Sequence, residues 1–167
     1  MASNIGFKPW GPVLSTQTYR VNGNDNAPVC KWDVVGMGII TNIGYITAAT
    51  AGASTILGCS LTFVSGAVTG TTLVANDPDQ TFECRDDDGS SKLTDIGLTG
   101  DHLATTGSVV TRLSAHKFDM DTASITAGGF HIIEYPDSPD EPAIDIIDKR
   151  LIVASTTEHA RRVATSL

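Results

Sequence analysis

The chain has 167 residues, a formal net charge of -8 and a sequence pI near 4.7. That length suits one domain with its own core, and the acidic excess excludes a general nucleic-acid binder, which needs cations to displace phosphate counterions. Charged residues make up only 18% of the chain, and the Thr, Ser, Gly and Ala that replace them favour short strands and tight turns over long salt-bridged helices.

Residues 1–18 read as an extended arm. Phe7, Pro9, Trp10 and Pro12 supply apolar anchors without a helical or alternating period, and each proline biases the residue before it towards extended backbone. The opening MASNIGFKPWGPVL has no basic start followed by an apolar core, so no signal peptide is expected. "TYRV" and "APVCKWDVV" predict two strands around the turn signal at Asn22-Gly23. Trp32 is expected in the core. Val34–Ile40 and Ile43–Ala48 predict further short strands.

No charged residue occurs between Val34 and Asn76. Gly36, Gly38, Asn42, Gly44, Gly52 and Gly58 interrupt this run too often for a spanning helix, so β-structure and no membrane contact are expected. Within it, Leu57, Cys59, Leu61 and Phe63 alternate with Gly58, Ser60 and Thr62, which predicts a strand with the first set facing the core. Cys30, Cys59 and Cys84 are far apart and form neither a zinc pattern nor a disulfide framework. They are expected to be buried free thiols in a reducing compartment.

"DPDQTFECRDDDGSSK", Asp77–Lys92, carries six carboxylates. Alternation places Phe82 and Cys84 inward, with Thr81, Glu83 and Arg85 outward. "DDDG" then predicts a turn with Gly89 at positive φ. An EF-hand register on Gly89 fails, because Cys84 falls at the first ligand position and Asp95 at the closing glutamate. Solvated turns are the expectation for Asp77, Asp79, Asp86, Asp87 and Asp88, with Glu83 in solvent and no metal or cofactor bound; a looser calcium site on Asp86, Asp87 and Asp88 is the alternative. Carboxylates along one strand and its turns do not flank a cleft as glycoside hydrolysis requires.

Thr94 or Asp95 is expected to cap a single helical turn that Gly97 and Gly100 keep short. "FHIIEY" predicts a strand with Phe130 and Ile132 on one face, and His131 as a structural histidine. "PDSPDEP" predicts a loop, "AIDIIDKRLIVAS" one or two closing strands, and 156–167 a polar C-terminal tail. His102, His116, His131 and His159 are scattered, and no HExxH, GxSxG, GxxxxGK or GxGxxG is present. The expected architecture is mostly β: a compact sandwich or small barrel of short strands over 19–155, with the extended N-terminal arm. No catalytic residue is nominated, and an enzyme is not expected.

The ordered segments "FKP", "YRV", "NAPV" with "DVV", "ILG", "DPDQTFEC", "DDG" and "TDIGL" resemble the capsid decoration (cement) proteins of tailed bacteriophages. The resemblance rests most on Asp77-Pro78-Asp79, Phe82-Glu83 and Thr94–Leu98, followed by "FHIIEY" and "KRLIVAS". The chain departs from the family at its close, where "STTEH" stands in place of a polar N-x-H ending. The resemblance implies a virion structural protein made in the host cytoplasm. It would form a homotrimer on the outer capsid surface and stabilise contacts between major capsid subunits of the HK97-like fold. It implies no direct contact with nucleic acid. Phe7, Lys8, Pro9 and Trp10 of the arm are then the candidate capsid-binding residues. The alternative reading is a β-sandwich binding module of a phage tail or other surface structure. Tyr135, beside the proline-rich loop, is its candidate glycan- or receptor-binding aromatic.

Overall fold

The computed structural model describes residues 6–22, 27–37, 44–52, 56–125, 128–136 and 149–156. Twelve strands occur among them: β1 (Lys8–Pro9), β2 (Thr16–Val21), β3 (Val34–Met37), β4 (Ile46–Ala48), β5 (Ile56–Ser60), β6 (Gly70–Ala75), β7 (Thr81–Arg85), β8 (Thr99–Gly100), β9 (His102–Leu103), β10 (Lys117–Phe118), β11 (Phe130–Glu134) and β12 (Arg150–Ser155). Five close into a small barrel in the order β2-β4-β3-β5-β6. A five-stranded sheet, β1-β7-β12-β11-β8, lies against it, and β9 and β10 form a separate ribbon. The mostly β expectation, with a small barrel, describes this fold.

Two cores result. Val21, Val35, Ile46, Leu57 and Val74 form the cluster of the barrel strands. Val34, Ile56, Cys59 and Ala75 turn away from it and meet Phe82, Cys84, Phe130, Ile132, Leu151 and Val153 of the sheet. Neighbouring residues of one strand, such as Val34 and Val35, therefore serve different cores, as a period of two requires.

β5 breaks that period. Cys59 pairs with Val34 and Gly58 with Val35, but Gly36 pairs with Ile56, so Leu57 is the extra residue of a bulge. Leu57 and Cys59 were expected to share a face; the bulge sends Leu57 to the barrel cluster and Cys59 to the sheet. Gly58 makes this possible at φ 145°, where a Cβ would run into the Ala75 carbonyl.

The hairpin expected at Asn22-Gly23 is not how β2 pairs. β2 runs antiparallel to β6 over six residue pairs, Thr16–Val21 against Gly70–Ala75, and touches β4 in parallel at Val21. Residues 23–26 lie outside the described set, as do 38–43, 137–148 and 157–167, which carry part of the expected turn, the end of the strand expected at Val34–Ile40 with the first residue of that at Ile43–Ala48, the proline-rich loop, the start of the closing strands and the tail. Trp32 is only half-buried, at φ 73°, with Lys31 Nζ 4.8 Å from its ring centroid. It is a turn residue and not a core residue.

The expected arm is built into the domain. Phe7 is 0% exposed, its ring 4.7 Å from that of Phe130, and its amide donates to Trp32 O at 2.9 Å. Lys8 and Pro9 pair with Glu83 and Phe82, and residues 16–18 already belong to the barrel. Between these anchors, Trp10 donates to Thr81 O and Gln80 Oε1 accepts from the Leu14 amide. Replacing Phe7 by Ala should therefore cost about 3–5 kcal/mol, the penalty of emptying an aromatic core site, whereas Trp10→Ala should change stability by less than about 0.5 kcal/mol. Urea unfolding measures both, and equal effects would contradict the burial of Phe7.

Candidate functional site

The sheet absorbs two of the six carboxylates of the cluster, Glu83 and Asp86. Glu83 lies opposite Lys8 on β1 and opposite Ile152 on β12, which brings Arg150 onto the same face two residues away. Glu83 is consequently 4% exposed, with Arg150 Nη1 at 3.1 Å and Lys8 Nζ at 3.8 Å. It does not point to solvent as alternation alone predicted. Asp86 is 0% exposed: Oδ1 accepts from the Lys149 amide and Oδ2 from Ser91 Oγ, each at 2.6 Å. It fastens the start of β12 and is no surface turn residue. Asp77 Oδ1 accepts from the Asp79 amide, Asp88 Oδ1 from the Ser90 amide, and Gly89 sits at φ 76° as expected.

Asp87 instead approaches Asp119 and Asp121, with one carboxylate oxygen of each within 4.8 Å of the others. Asp87 Oδ1 already accepts from the Met120 amide and Asp119 Oδ1 from the Asp121 amide. These bonds fix the Asp87 and Asp119 carboxylates on the backbone of the Met120–Thr122 turn.

Of the arm residues, Phe7 is core, Lys8 reaches Glu83, Pro9 pairs with Phe82, and Trp10 alone presents an exposed aromatic ring, at 40%. Val13 and Leu14 beside it are also exposed. Tyr135 is no open aromatic platform, since it packs on the sheet core under Lys149 Nζ and burial pushes its phenol up to about 12.

A second constellation has no counterpart in any sequence motif. The turn Cys30–Asp33 closes through Asp33 N to Cys30 O and Cys30 N to Asp33 Oδ2 at 2.7 Å, which directs Asp33 inward. Ser114 docks on the same turn by donating its amide to Lys31 O. Its hydroxyl accepts from the His116 amide, and His116 Nδ1 accepts from the Val34 amide at 3.2 Å. A neutral His116 therefore carries its proton on Nε2. That nitrogen lies 3.6 Å from Asp33 Oδ1, too far for a hydrogen bond. His102 on β9 stacks on His116 at 5.4 Å and donates Nε2–H to Ala49 O at 3.1 Å. Phe7 and Phe130 meet the His102 ring edge-on.

Burial pushes the Asp33 carboxyl up to about 6, against the opposing Ser114 hydroxyl and Cys30 amide. Burial, with His102 adding, holds His116 down to about 3, and burial lowers His102 as well. Both partners of the 3.6 Å contact thus move away from the ion pair, because dehydrating two charges costs more than so long a contact returns. The Cys30 thiol is raised to about 11 by burial and then by Asp33, so it is not a thiolate at neutral pH. Cys59 and Cys84 are also raised by burial. All three cysteines are free and buried. The Ser114 hydroxyl bonds the backbone of His116 and not its ring, so no activated serine is formed here.

A cleft of about 170 Å³ opens over Asp33 and His116. Both are buried at its base, while Thr50 and residues 104–106 stand exposed at its rim. No protein-family model matches the chain, and no curated protein is similar to it in sequence.

The cluster imposes a pH dependence. Asp33 keeps its proton to about pH 6 when folded and to 3.8 otherwise, so its contribution to stability falls as pH rises through that window. The histidines act oppositely. His116 stays neutral when folded down to about 3 but charges near 6.5 otherwise, and His102 shifts in the same direction, so their contribution falls as pH drops below 6.5. Two imidazoles outweigh one carboxyl, and the cluster should lose stability from pH 6.5 downward. His116→Asn, whose Oδ1 can take over the Val34 amide, should flatten the decline of Tm between pH 6.5 and about 4. Parallel Tm profiles for the two proteins would refute this.

Proposed function

We propose that this chain is a structural decoration protein of a virus particle, seated on the outer surface of an icosahedral shell and stabilising contacts between neighbouring major capsid subunits. The observation that carries the reading joins the family-like segment to a presentation surface. Asp77–Thr81 forms the turn into β7, and its buried Gln80 accepts from the Leu14 amide and donates to Thr81 O. Thr81 Oγ1 also donates to Trp10 O. The segment most like the decoration proteins thus holds residues 10–14 across the surface, with Trp10, Val13 and Leu14 exposed. A fixed strip, bent at Gly11 and Pro12 and carrying apolar side chains, presents little conformational entropy to lose on docking. Many copies on one shell would multiply a modest single-site affinity. Assembly as a homotrimer is part of this reading, and the net charge of -8 suits a crowded exterior.

The test adds the protein to shells of the parent particle stripped of it and counts bound copies by electron microscopy. Wild type should bind the outer surface. Trp10→Ala combined with Leu14→Ser should lower occupancy at least about tenfold at equal concentration, a loss of about 1.4 kcal/mol, with Tm within about 2 °C of wild type. Absence of wild-type binding would sink the reading; undiminished occupancy of the double variant would remove the strip from it.

A further inference from the structure

We propose that the loop end of the barrel around Lys31, Trp32 and Arg112 is a self-association face, and that it takes the Leu93–Ile96 turn of a second copy of this chain. Three segments build this end: 27–32, 61–70 and 104–114. Val29 exchanges backbone hydrogen bonds with Val64, and Lys31 pairs with Leu113. Trp32 and Arg112, at φ 73° and 62°, are the two residues other than glycine with positive φ among the described residues, and both stand here. A left-handed backbone strains such side chains, and strain of this kind gathers at contact surfaces more than in scaffolds. Each strained residue belongs to a pair that sets a cation over a ring. Lys31 Nζ lies 4.8 Å from the Trp32 centroid, and Arg112 Cζ 5.6 Å from that of Phe63. Ser108 fixes the turn that carries Arg112: its amide donates to Leu113 O, its carbonyl accepts from the Arg112 amide and its Oγ from the Thr111 amide. Val109 and Val110 are thereby held out in solvent, 59% and 88% exposed.

The charge of this face selects its occupant. The three segments contain Lys31 and Arg112 and no carboxylate. Asp33, next in the chain, is buried, and Asp25 lies outside the described residues. The rest of the chain holds 9 basic and 19 acidic residues, a net -10. A cationic, apolar face on an otherwise acidic molecule finds the opposite charge on another copy. Exposed apolar surface narrows the choice. Trp10, Val13 and Leu14 form the strip assigned above to the shell. Leu93 and Ile96, 58% and 48% exposed, stand on and just after the single 3-10 turn Leu93–Asp95 that leads into β8. Asp87, Asp88 and Asp95 accompany them in the chain, against Lys92 alone. Asp86 fixes the approach to this turn through Ser91 Oγ, as Asp33 closes the turn of Trp32. Two valines with two cations thus answer two apolar residues with three carboxylates, an apolar centre with a charged rim on both sides. One face lies on the barrel and the other on the margin of the sheet, so one chain cannot join its own two. Head-to-tail contacts of this kind close into rings; closure at three copies rests on the decoration reading.

The experiment measures the mass of the full chain in solution by light scattering over a concentration series, without shells. Wild type should assemble as concentration rises, and ~0.5 M sodium chloride should weaken assembly, since the contact is partly ionic. Arg112→Gly removes the cation and relieves the positive φ, so assembly should weaken at least about tenfold while Tm stays within about 2 °C of wild type or rises. Val110→Asp should weaken assembly from the same face, and Leu93→Ser combined with Ile96→Ser from the other. The decisive arm mixes these two broken chains. Each retains the face the other has lost, so an equimolar mixture should give a heterodimer and nothing larger, although neither chain assembles alone. A wild type that stays monomeric, assembly untouched by Arg112→Gly and Val110→Asp, or a mixture without heterodimer overturns the proposal. A monomer that instead floats with phosphatidylserine vesicles overturns it in favour of a membrane. A monomeric wild type would also remove the trimer from the decoration reading, but docking through residues 10–14 is decided separately by shell occupancy.

Discussion

Everything in this fold depends on one wall of the barrel being dry on both sides. β3, β5 and β6 supply side chains to the barrel cluster and, one residue along, to the layer under the sheet. A strand in that position has no face left for a charge, since burying an unpaired ion costs far more than any hydrophobic contact returns. This is the physical sense of a stretch from Val34 to Asn76 without a charged residue. The bulge at Leu57 and Gly58 belongs to the same constraint, because it lets two residues of β5 face the sheet while Leu57 faces the barrel.

The sheet is secured by polar ties at its margins. Glu83 joins β1, β7 and β12 through Lys8 and Arg150. Asp86 grips the main chain at Lys149, and Gln80 grips residues 10–14. Glu83 and Asp86 look like surface charge in the sequence and act, with Gln80, as staples in the fold. Breaking one partner of such a tie leaves the other buried and unsatisfied. The surfaces proposed to work outwardly are consequently held at fixed positions by buried polar residues.

Some of this was legible in the sequence. The alternation of "QTFECR" located Phe82 and Cys84 correctly, and the turn at Gly89 followed from its neighbours. Other features depend on partners distant in the chain. Glu83 is buried because Lys8 and Arg150 arrive from other strands. Phe7 is core because Phe130 and His102 receive it. The Asp33–His116–His102 cluster joins residues from three separate loops and strands, so no motif scan could assemble it. The one local signal, an aspartate three residues after Cys30 in a turn, is too common to stand out. β2 pairs with β6 over six residues, a partner that lies some fifty residues on and that no local turn signal announces.

The placement of β12 bears on how the chain reaches this state. It is the last described strand, yet it occupies the middle of the sheet, paired to β7 on one side and β11 on the other. β7 and β11 cannot be bridged before it arrives, and the pocket for Phe7 is incomplete until then. The earliest core side chain among the described residues thus waits on one of the latest. Such long-range closure makes for slow folding. On a ribosome the barrel can form while its outer wall is still bare, and those apolar residues stay exposed until synthesis passes Ser155. The interval between barrel closure and sheet completion is the period in which newly made chains are most prone to stick to one another.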